Sequence, residues 1–492
     1  MSSMFRSFAS FNYRVWFLGA LVSNVGTWMQ ATALNWVVLT EVTDHDATAV
    51  GVTMALQFAP PLLLVPVTGW AVDRFDRRRL LHLTQIAFMV LAITLGLLLL
   101  NGQAQLWHLY VLATLFGVVM AFDNPARQTI VTDIVSLQNA SNAVALNSAA
   151  FNAARMIGPA VAGFTIVAVG SGWVFLANAA TFLLMLVAIK ALRVDQLTPH
   201  VRSAQKQSLL DGFRYVSKRR DLLTLFSIVF LLGAFGMNFP VIASTMAVEF
   251  GRDADGFGLL SSILAIGSLV GALLAARRDR ARISVVIGGS GFFAAASLVS
   301  LLMPNYWLYA ASLMFTGFAV VTVLTTANGV VQTTTDPALR GRVMAIYMAI
   351  LMGGTPIGAP IIGWVADVAG PRWAIGVGAA AAAIGCVWGV IWLITSGRVH
   401  RSESGWGLAL DQTQRIPVIH PEQFSDEIAS TTPIILSPED PTTTAPGNGD
   451  PKSGAPRSAG PISGGPSNGG VTNGGPGNGG PSNTSPNGKS SR

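Results

Sequence analysis

The sequence is poor in charged residues and in cysteine, and each shortage argues against a class of protein. Only 11% of the 492 residues are charged, against 51% hydrophobic, whereas soluble domains carry about 25% charged residues. This composition argues against a water-soluble protein. The single cysteine, Cys386, excludes a disulfide framework and a cysteine metal cluster. The six histidines are scattered and no Walker motif occurs, so we expect no metal, no other cofactor and no ATP hydrolysis.

Long apolar runs occupy most of the chain as far as about residue 397. Each run has about the length that an α-helix needs to cross the hydrocarbon core of a bilayer. The runs lie near 14–39, 49–72, 80–101, 106–122, 143–169, 173–192, 222–248, 256–276, 283–303, 305–330, 343–366 and 373–396. The predicted fold is therefore an all-α integral membrane protein with twelve transmembrane helices.

The links between these runs alternate in charge. Nearly all of the 31 Lys and Arg lie at the chain ends or on one set of alternate links, near 73–79, 123–139, 193–220, 277–282 and 333–342. The other set of links holds only Arg252 and Arg372. Because basic links stay on the cytoplasmic side of a membrane, we expect a multi-pass protein of the cell inner (plasma) membrane with both termini cytoplasmic. Topology thus accounts for the net charge of +7, and no nucleic-acid partner is predicted.

The longest basic link divides the helices six and six. The predicted domains are an N-terminal six-helix half at 1–192, a cytoplasmic linker at 193–221, a C-terminal six-helix half at 222–397 and a disordered cytoplasmic tail at 398–492. Alternating apolar and charged residues predict an amphipathic surface helix in the linker, with a plain solvated linker as the alternative. The tail is predicted to be disordered because its Pro, Gly, Ser and Asn bury too little apolar area to offset ordering entropy.

An internal repeat supports the division into halves. The segment that ends Gly158-Pro159-Ala-Val-Ala-Gly163 matches one that ends Pro360-Ile-Ile-Gly363, about 200 residues later. A weaker match joins the stretch at 49–52 to that at 256–259. Internal repeats are how many secondary transporters are built, with the substrate site between them. We therefore expect two pseudo-symmetric six-helix bundles.

A burst of arginine and aspartate, GWAVDRFDRRR, begins at Gly69 and ends at Arg79, between two apolar runs. It resembles the signature loop between the second and third helices of the major facilitator superfamily. That resemblance implies a conformational latch that holds the outward-open state through charge pairing between helices, with Asp123 at the cytoplasmic end of the fourth helix as a partner. A glycine here also permits close helix approach, whereas a plain cationic anchor is the alternative. The predicted latch residues are Gly69, Asp73, Arg74, Arg77, Arg78 and Asp123.

Two further motifs resemble one branch of that superfamily. Asp123-Asn-Pro125-Ala-Arg127-Gln128 and the later Asn152 to Gly163 segment resemble the branch that holds drug:proton antiporters and siderophore exporters of the enterobactin type. Within the second motif, Gly158, Pro159 and Gly163 resemble the fifth-helix motif of antiporters, in which glycine and proline set a bend and a tight helix contact. The resemblance implies the facilitator fold and a proton as coupling partner.

Arg155 falls near the middle of the fifth predicted helix, where a charge costs at least about 2.5–3.5 kcal/mol. It is either a structural strut or an anion-attracting group in a central cavity. Polar or aromatic residues on other helices are candidates to complete that cavity, although each alone is more often an interhelical contact. The predicted substrate-cavity set is Arg155, Asn152, Asn24, Trp28, Gln57, Asn238 and Asn328. No carboxylate is predicted near a helix centre, so proton coupling rests on the resemblance alone.

These observations predict a secondary active exporter, and not an enzyme, that works by alternating access. A buried arginine without a buried acid favours a small amphipathic or anionic metabolite, siderophore-like, or a drug as substrate. The lipid bilayer and a proton are the other predicted partners, and the chain is predicted to be monomeric. One alternative is a multidrug:proton antiporter for hydrophobic drugs. Alternatives from another class are an integral membrane enzyme and a non-transporting membrane sensor.

Overall fold

The structure, a computed structural model of the chain, describes residues 3–196, 209–278, 280–396, 399–402 and 405–408. At a few positions inside these ranges, including Asp73, only the backbone is described. Most of the predicted tail, and residues 197–208 of the predicted linker, lie outside the described residues.

Seven α-helices form the N-terminal half. They are α1 (Phe11–Val37), α2 (Ala47–Leu63), α3 (Val65–Arg74), α4 (Arg77–Leu100), α5 (Leu106–Asp133), α6 (Ala140–Val169) and α7 (Ser171–Ala191). A π-helical turn, Val38–Val42, continues α1, and short 3₁₀ turns lie at Ser3–Ala9, Leu137–Asn139 and Val194–Gln196.

Eight further helices follow in the second part of the chain. They are α8 (Leu209–Lys218), α9 (Arg220–Leu231), α10 (Phe239–Glu249), α11 (Ala254–Ala276), α12 (Ile283–Leu301), α13 (Tyr306–Thr334), α14 (Arg340–Ala369) and α15 (Pro371–Thr395). A π-helical turn, Leu232–Gly236, separates α9 from α10. Strands β1 (Val399–Ser402) and β2 (Gly405–Leu408) pair antiparallel beyond the last helix.

Twelve membrane spans result, as predicted. Within the described residues, ten helical segments are long and apolar enough to cross a bilayer, with α9 and α10 counted as one span. Helix α1 is the first span, and α2 with α3 forms the second. The second span is broken at Leu64, where two prolines end α2 and a third opens α3. Proline lacks the N–H that a continuing helix needs, so the single helix predicted at 49–72 was wrong in this detail.

The fourth span is longer than the sequence predicts. Helix α5 runs to Asp133, whereas the predicted helix ends near residue 122. Asp123 and Arg127 stand four residues apart and form an ion pair on one face of α5. Their charges offset each other, so the helix continues through residues that resemble a polar link.

The helix ends define two faces of the bundle. We call the end that carries the arginine-rich links the basic face, and the other end the opposite face. Helix α8 lies in the longest basic link and packs on α14, where the Arg342 guanidinium contacts the Asp211 carboxylate at 3.2 Å. Helix α8 therefore lies within the range predicted for the linker.

The two halves meet through two pairs of antiparallel spans, α2 on α14 and α6 on α11. A Cβ atom built on Gly51 would lie 2.3 Å from the Ala359 carbonyl oxygen, and one built on Gly363 would lie 2.3 Å from the Ala47 carbonyl oxygen. The other pair repeats this arrangement, with Gly163 at 2.4 Å from the Ala254 carbonyl oxygen. These glycines therefore let backbones touch across the interface between the halves, near the opposite face.

We expect Gly258→Ala to destabilise the protein by about 1–3 kcal/mol, the usual cost of overpacking. The added Cβ would lie 2.3 Å from the Pro159 carbonyl oxygen of α6, so α6 and α11 would have to move apart. The midpoint of thermal unfolding in detergent micelles measures the effect.

The matched control is Gly288→Ala in α12, where no atom lies within 4 Å of the added Cβ. Alanine should stabilise a helix at that position. Equal unfolding midpoints for the two variants would contradict close backbone packing at Gly258.

Candidate functional site

Arg155 lies at the centre of the fifth span. Fifteen residues of α6 precede it and fourteen follow it, so its side chain starts at mid-membrane depth. The guanidinium carbon lies 5.6 Å from the centroid of the Trp28 ring on α1, within the range of a cation–π contact. Phe151, one turn earlier on α6, packs edge-on against the same ring at 5.8 Å between centroids.

The Arg155 guanidinium has no hydrogen bond and no ion pair with any described residue. Each of its nitrogen atoms keeps some accessible surface, so none of them is fully sealed without a partner. A guanidinium carries five N–H donors. The site therefore presents a cation with free donors, backed by an aromatic ring, at the depth where a charge is most costly.

Close packing of α1 on α6 holds the tryptophan in place. A Cβ built on Gly158 would lie 2.6 Å from the Trp28 Cβ, so any larger residue would displace the ring. This contact, together with that of Gly163, places the predicted glycine positions of the fifth-helix motif at tight helix contacts. Helix α6 runs unbroken through Pro159, whose carbonyl oxygen faces Gly258.

The other predicted cavity residues of the N-terminal half are half-buried. Asn152 donates its side-chain N–H to the Ser148 carbonyl of its own helix at 2.8 Å. The side chains of Asn24 and Gln57 form no hydrogen bond with a described residue. These two therefore keep their polar groups free for water or a ligand.

The predicted cavity residues of the C-terminal half have local partners. Asn238 is fully buried beside the break in the seventh span, where its Nδ2 donates to the Ala234 carbonyl at 2.5 Å. Its Oδ1 is sealed and has no partner among the described atoms. Asn328 accepts a hydrogen bond from Gln332 one turn later, at 2.5 Å.

Asp123 lies in the interior of helix α5, which corrects the prediction that it stands at the end of the fourth helix. Ten residues of α5 follow it, which places it about 15 Å from the end of the helix at the basic face. It is 3% exposed. The earlier boundary of the fourth helix was wrong because Asp123 and Arg127 resembled the start of a polar link.

A hydrogen-bonded network surrounds this carboxylate. Arg127 Nε donates to Asp123 Oδ2 at 2.5 Å, and two donors from α4 reach Oδ1 at 2.6 and 2.7 Å. Arg127 Nη2 in turn contacts Ser23 Oγ of α1 at 3.2 Å. Sequence reasoning missed these partners, because only the four-residue spacing of Asp123 and Arg127 gave a signal. The residues missed are Thr84, Gln85, Arg127 and Ser23.

Two arginines of the predicted latch make contacts within the N-terminal half in this structure. Arg77 forms an ion pair with Asp133, at the basic end of α5, and not with Asp123. Asp123 lies ten positions before Asp133 along α5, farther from the loop than Asp133. Arg78 Nη2 contacts the Ile189 carbonyl at 3.4 Å, again within the N-terminal half. The side chain of Asp73 lies outside the described part, and Arg74 is exposed and has a partner.

Gly69 does not provide the close helix approach that we expected. It is exposed, and no described atom lies within 4 Å of a Cβ built on it. The face of α3 that carries it turns away from the neighbouring helices. Tight glycine contacts occur instead near the opposite face, between the halves.

The structure has twelve spans in two related halves. A cation lies beside an aromatic ring at the centre of the fifth span, and an ion pair lies inside the fourth. The fold is that of a carrier of the major facilitator superfamily. Solved structures share this fold. A POT family transporter in complex with thioalcohol conjugated peptide superposes with a TM-score of 0.64 at 14% identity, covering 78% of this chain and 96% of that one. A mutant of the nucleoside transporter NupG gives a TM-score of 0.61 at 14% identity, covering 77% and 99%.

Residues 2–404 match the family of transmembrane secretion effectors. The chain belongs to that family. Similar proteins include the staphyloferrin A transporter of Staphylococcus aureus, 25% identical, over 73% of this chain and 90% of the relative. The multidrug efflux pump Tap of Mycolicibacterium fortuitum is 27% identical, over 71% and 88%. The enterobactin exporter EntS of Shigella flexneri is 25% identical, over 71% and 84%.

We expect Asp123→Asn to destabilise the protein by about 3–5 kcal/mol, because it leaves the Arg127 charge buried without its partner. The double variant Asp123→Asn/Arg127→Gln removes both charges and should recover much of that loss. Thermal unfolding in detergent compares the three proteins.

Asp211→Asn is the control, since it breaks an ion pair whose carboxylate is 53% exposed. Exposed pairs contribute about 1 kcal/mol or less. If Asp123→Asn lowers stability no more than Asp211→Asn does, the network does not hold a buried charge.

Proposed function

We propose that this protein is a secondary active exporter that moves a small anionic or amphipathic metabolite, siderophore-like, across the cytoplasmic membrane in exchange for protons. The observation that carries the proposal is the Arg155 guanidinium, which lies at mid-membrane depth with free donors against the Trp28 ring. The named cargoes of two relatives, staphyloferrin A and enterobactin, support a siderophore-like substrate.

Electrostatics favour an anionic group at this site. A charge without a partner at this depth is costly, and a carboxylate or phenolate that arrives with the substrate would offset that cost. Charge-assisted bonds to a guanidinium are short and strong, often bidentate. The rings of Trp28 and Phe151 provide an apolar and aromatic surface beside the cation. The site therefore suits an amphipathic anion with an aromatic or planar part.

Alternating access follows from the way the halves meet. The contacts of α2 with α14 and of α6 with α11 close the central region from the opposite face. We assign the basic face to the cytoplasm because basic links are retained there, which puts both ends of the described chain on the cytoplasmic side. In this arrangement a substrate enters from the cytoplasm and leaves when the opposite face opens.

Asp123 is the group that we assign to proton coupling. It is the carboxylate held in the interior of a span among the described residues, 3% exposed and paired with Arg127. Arg127 contacts both Asp123 and Ser23 of α1, and Trp28 of the same helix contacts Arg155. Movement of α1 on substrate binding would therefore reach the ion pair.

We expect Arg155→Gln to reduce transport of an aromatic carboxylate by about tenfold or more, because one strong charge-assisted contact is lost. Transport of an uncharged or cationic hydrophobic dye should change little. Uptake into inside-out proteoliposomes under an imposed pH gradient measures both.

The matched control is Arg252→Gln. Arg252 also lies over aromatic rings, those of Tyr306 and Trp307, but at the opposite face and away from the central site. If Arg155→Gln transported the anion at the wild-type rate, Arg155 would be a structural strut. Selective loss of dye transport would instead favour the alternative of a multidrug antiporter, and the similar protein Tap is a multidrug efflux pump.

We expect Asp123→Asn to abolish accumulation driven by a pH gradient and to preserve exchange of labelled for unlabelled substrate. An amide cannot carry the proton, whereas exchange requires only reorientation of the loaded carrier. Proteoliposomes that contain the full chain allow both assays, with Asp211→Asn as control. Undiminished accumulation in Asp123→Asn would remove this carboxylate from the coupling step.

A further inference from the structure

The first turn of α2 is held by a carboxylate from the other half of the molecule. Asp367, near the end of α14, accepts hydrogen bonds from the backbone N–H groups of Ala47 and Thr48, each at 2.8 Å. The Thr48 hydroxyl donates a third bond, to Oδ2 at 2.5 Å. These contacts cross between the two halves at the opposite face. We call this group of three bonds the Asp367 clasp.

The clasp completes the hydrogen bonding of a helix end. The first N–H groups of a helix have no partner within the helix. The Asp46 side chain accepts a hydrogen bond from the Ala49 N–H at 2.8 Å, and the Asp46 carbonyl accepts one from the Val50 N–H at 3.4 Å. The N–H groups of Ala47 and Thr48 have no partner within the helix, and both donate to the Asp367 carboxylate. A carboxylate at a helix N-terminus is further favoured by the helix dipole.

The clasp lies in line with the glycine contacts. Gly363 and Asp367 are one turn apart on α14, and they meet the first turn of α2 at its backbone. Separation of α2 from α14 at this face would break every bond of the clasp at once. Because Asp367 is exposed and Thr48 is only half-buried, water would replace the lost partners, so the clasp biases the equilibrium without locking it.

The related interface lacks this device. Gly163 meets the Ala254 carbonyl as Gly363 meets that of Ala47, so α6 and α11 repeat the geometry of α14 and α2. One turn after Gly163 stands Val167, whose side chain cannot accept a hydrogen bond. The position that corresponds to Thr48 is Asp255, which would repel a carboxylate. Only one of the two symmetry-related contacts is therefore built to hold a clasp.

We propose that the Asp367 clasp stabilises the state in which the opposite face is closed, and so sets the resting balance between the two access states of the carrier. This inference rests on the alternating-access mechanism proposed above. Asp367→Asn removes the charge and one acceptor atom while keeping the shape of the side chain. The variant shifts the protein toward the state that is open at the opposite face.

Distance measurement between spin labels tests the proposal without any substrate. Labels at Gln103→Cys and Pro304→Cys lie in exposed links at the opposite face, one in each half. The background is Cys386→Ser, which removes the single native cysteine. In lipid nanodiscs, Asp367→Asn should raise the ratio of long to short distances by about fivefold or more, as loss of charge-assisted hydrogen bonds predicts.

Two matched variants sharpen the test. Thr48→Val removes only the hydroxyl bond and should shift the ratio in the same direction by less. Glu249→Gln makes the same change of charge at the same face, but its ion pair with Arg372 lies within the C-terminal half, so the ratio should stay at the wild-type value. The proposal is overturned if Asp367→Asn matches wild type, or if Glu249→Gln shifts the ratio equally.

The outcome is independent of the substrate assignment. If Asp367→Asn shifts the distance ratio while Arg155→Gln transports the anion at the wild-type rate, the proposed role of the clasp is supported and the proposed substrate site is rejected. If Asp367→Asn leaves the distance ratio unchanged while Arg155→Gln loses anion transport, the substrate site is supported and the proposed role of the clasp is rejected.

Discussion

The structure depends on how it treats charge where there is no water. A charged side chain inside a bilayer needs a partner, and the two arginines in the interiors of α5 and α6 meet that need in different ways. Arg127 is paired with Asp123 and bonded to Gln85 and Ser23, whereas Arg155 has only an aromatic ring among the described residues. The first arrangement is complete without a ligand, and the second is completed by one. Under the proposed function, this difference, and not the presence of charge alone, separates the coupling group from the binding group.

The contacts between the halves explain how such a molecule can change its access side. Glycines at positions such as Gly51 and Gly258 let one backbone lie against another, so the seal near the opposite face consists mainly of van der Waals contact. Contacts of this kind are individually weak and do not interlock long side chains. Two copies of one contact, related by the internal repeat, allow the halves to separate as rigid bodies. The polar clasp on one copy adds directionality that the repeat alone does not supply.

The sequence predicted the twelve spans in two six-helix bundles, because membrane insertion imposes length and charge rules on local sequence. The prediction from sequence failed where one local pattern is compatible with two different structures. Asp123 and Arg127 resembled a polar link, yet an ion pair at helical spacing lets a span continue. The partners of Arg77 and of the α2 N-terminus, Asp133 and Asp367, lie 56 and 320 residues away in sequence. No spacing rule gives such pairs, because they depend on which helices the fold brings together.

Helix α1 connects the two charged sites, and the contacts bound how strongly it couples them. Ser23 contacts Arg127 and Trp28 contacts Arg155, five residues apart, or about 7.5 Å along the helix axis. An α-helix transmits an axial shift over that distance with little loss, so displacement of Trp28 by a ligand would move Ser23. A net hydrogen bond to a charged group contributes about 1.5–3 kcal/mol, so the contact of Ser23 with the Arg127 guanidinium alone can couple the sites by no more than about a hundredfold. Tighter coupling requires that α1 also displace Gln85 or the Asp123 carboxylate, which the packing of α1 and α4 around α7 allows. Under the proposed function, the strength of coupling between the two charged sites is therefore set by how far α1 moves as a body, and not by any single bond along it.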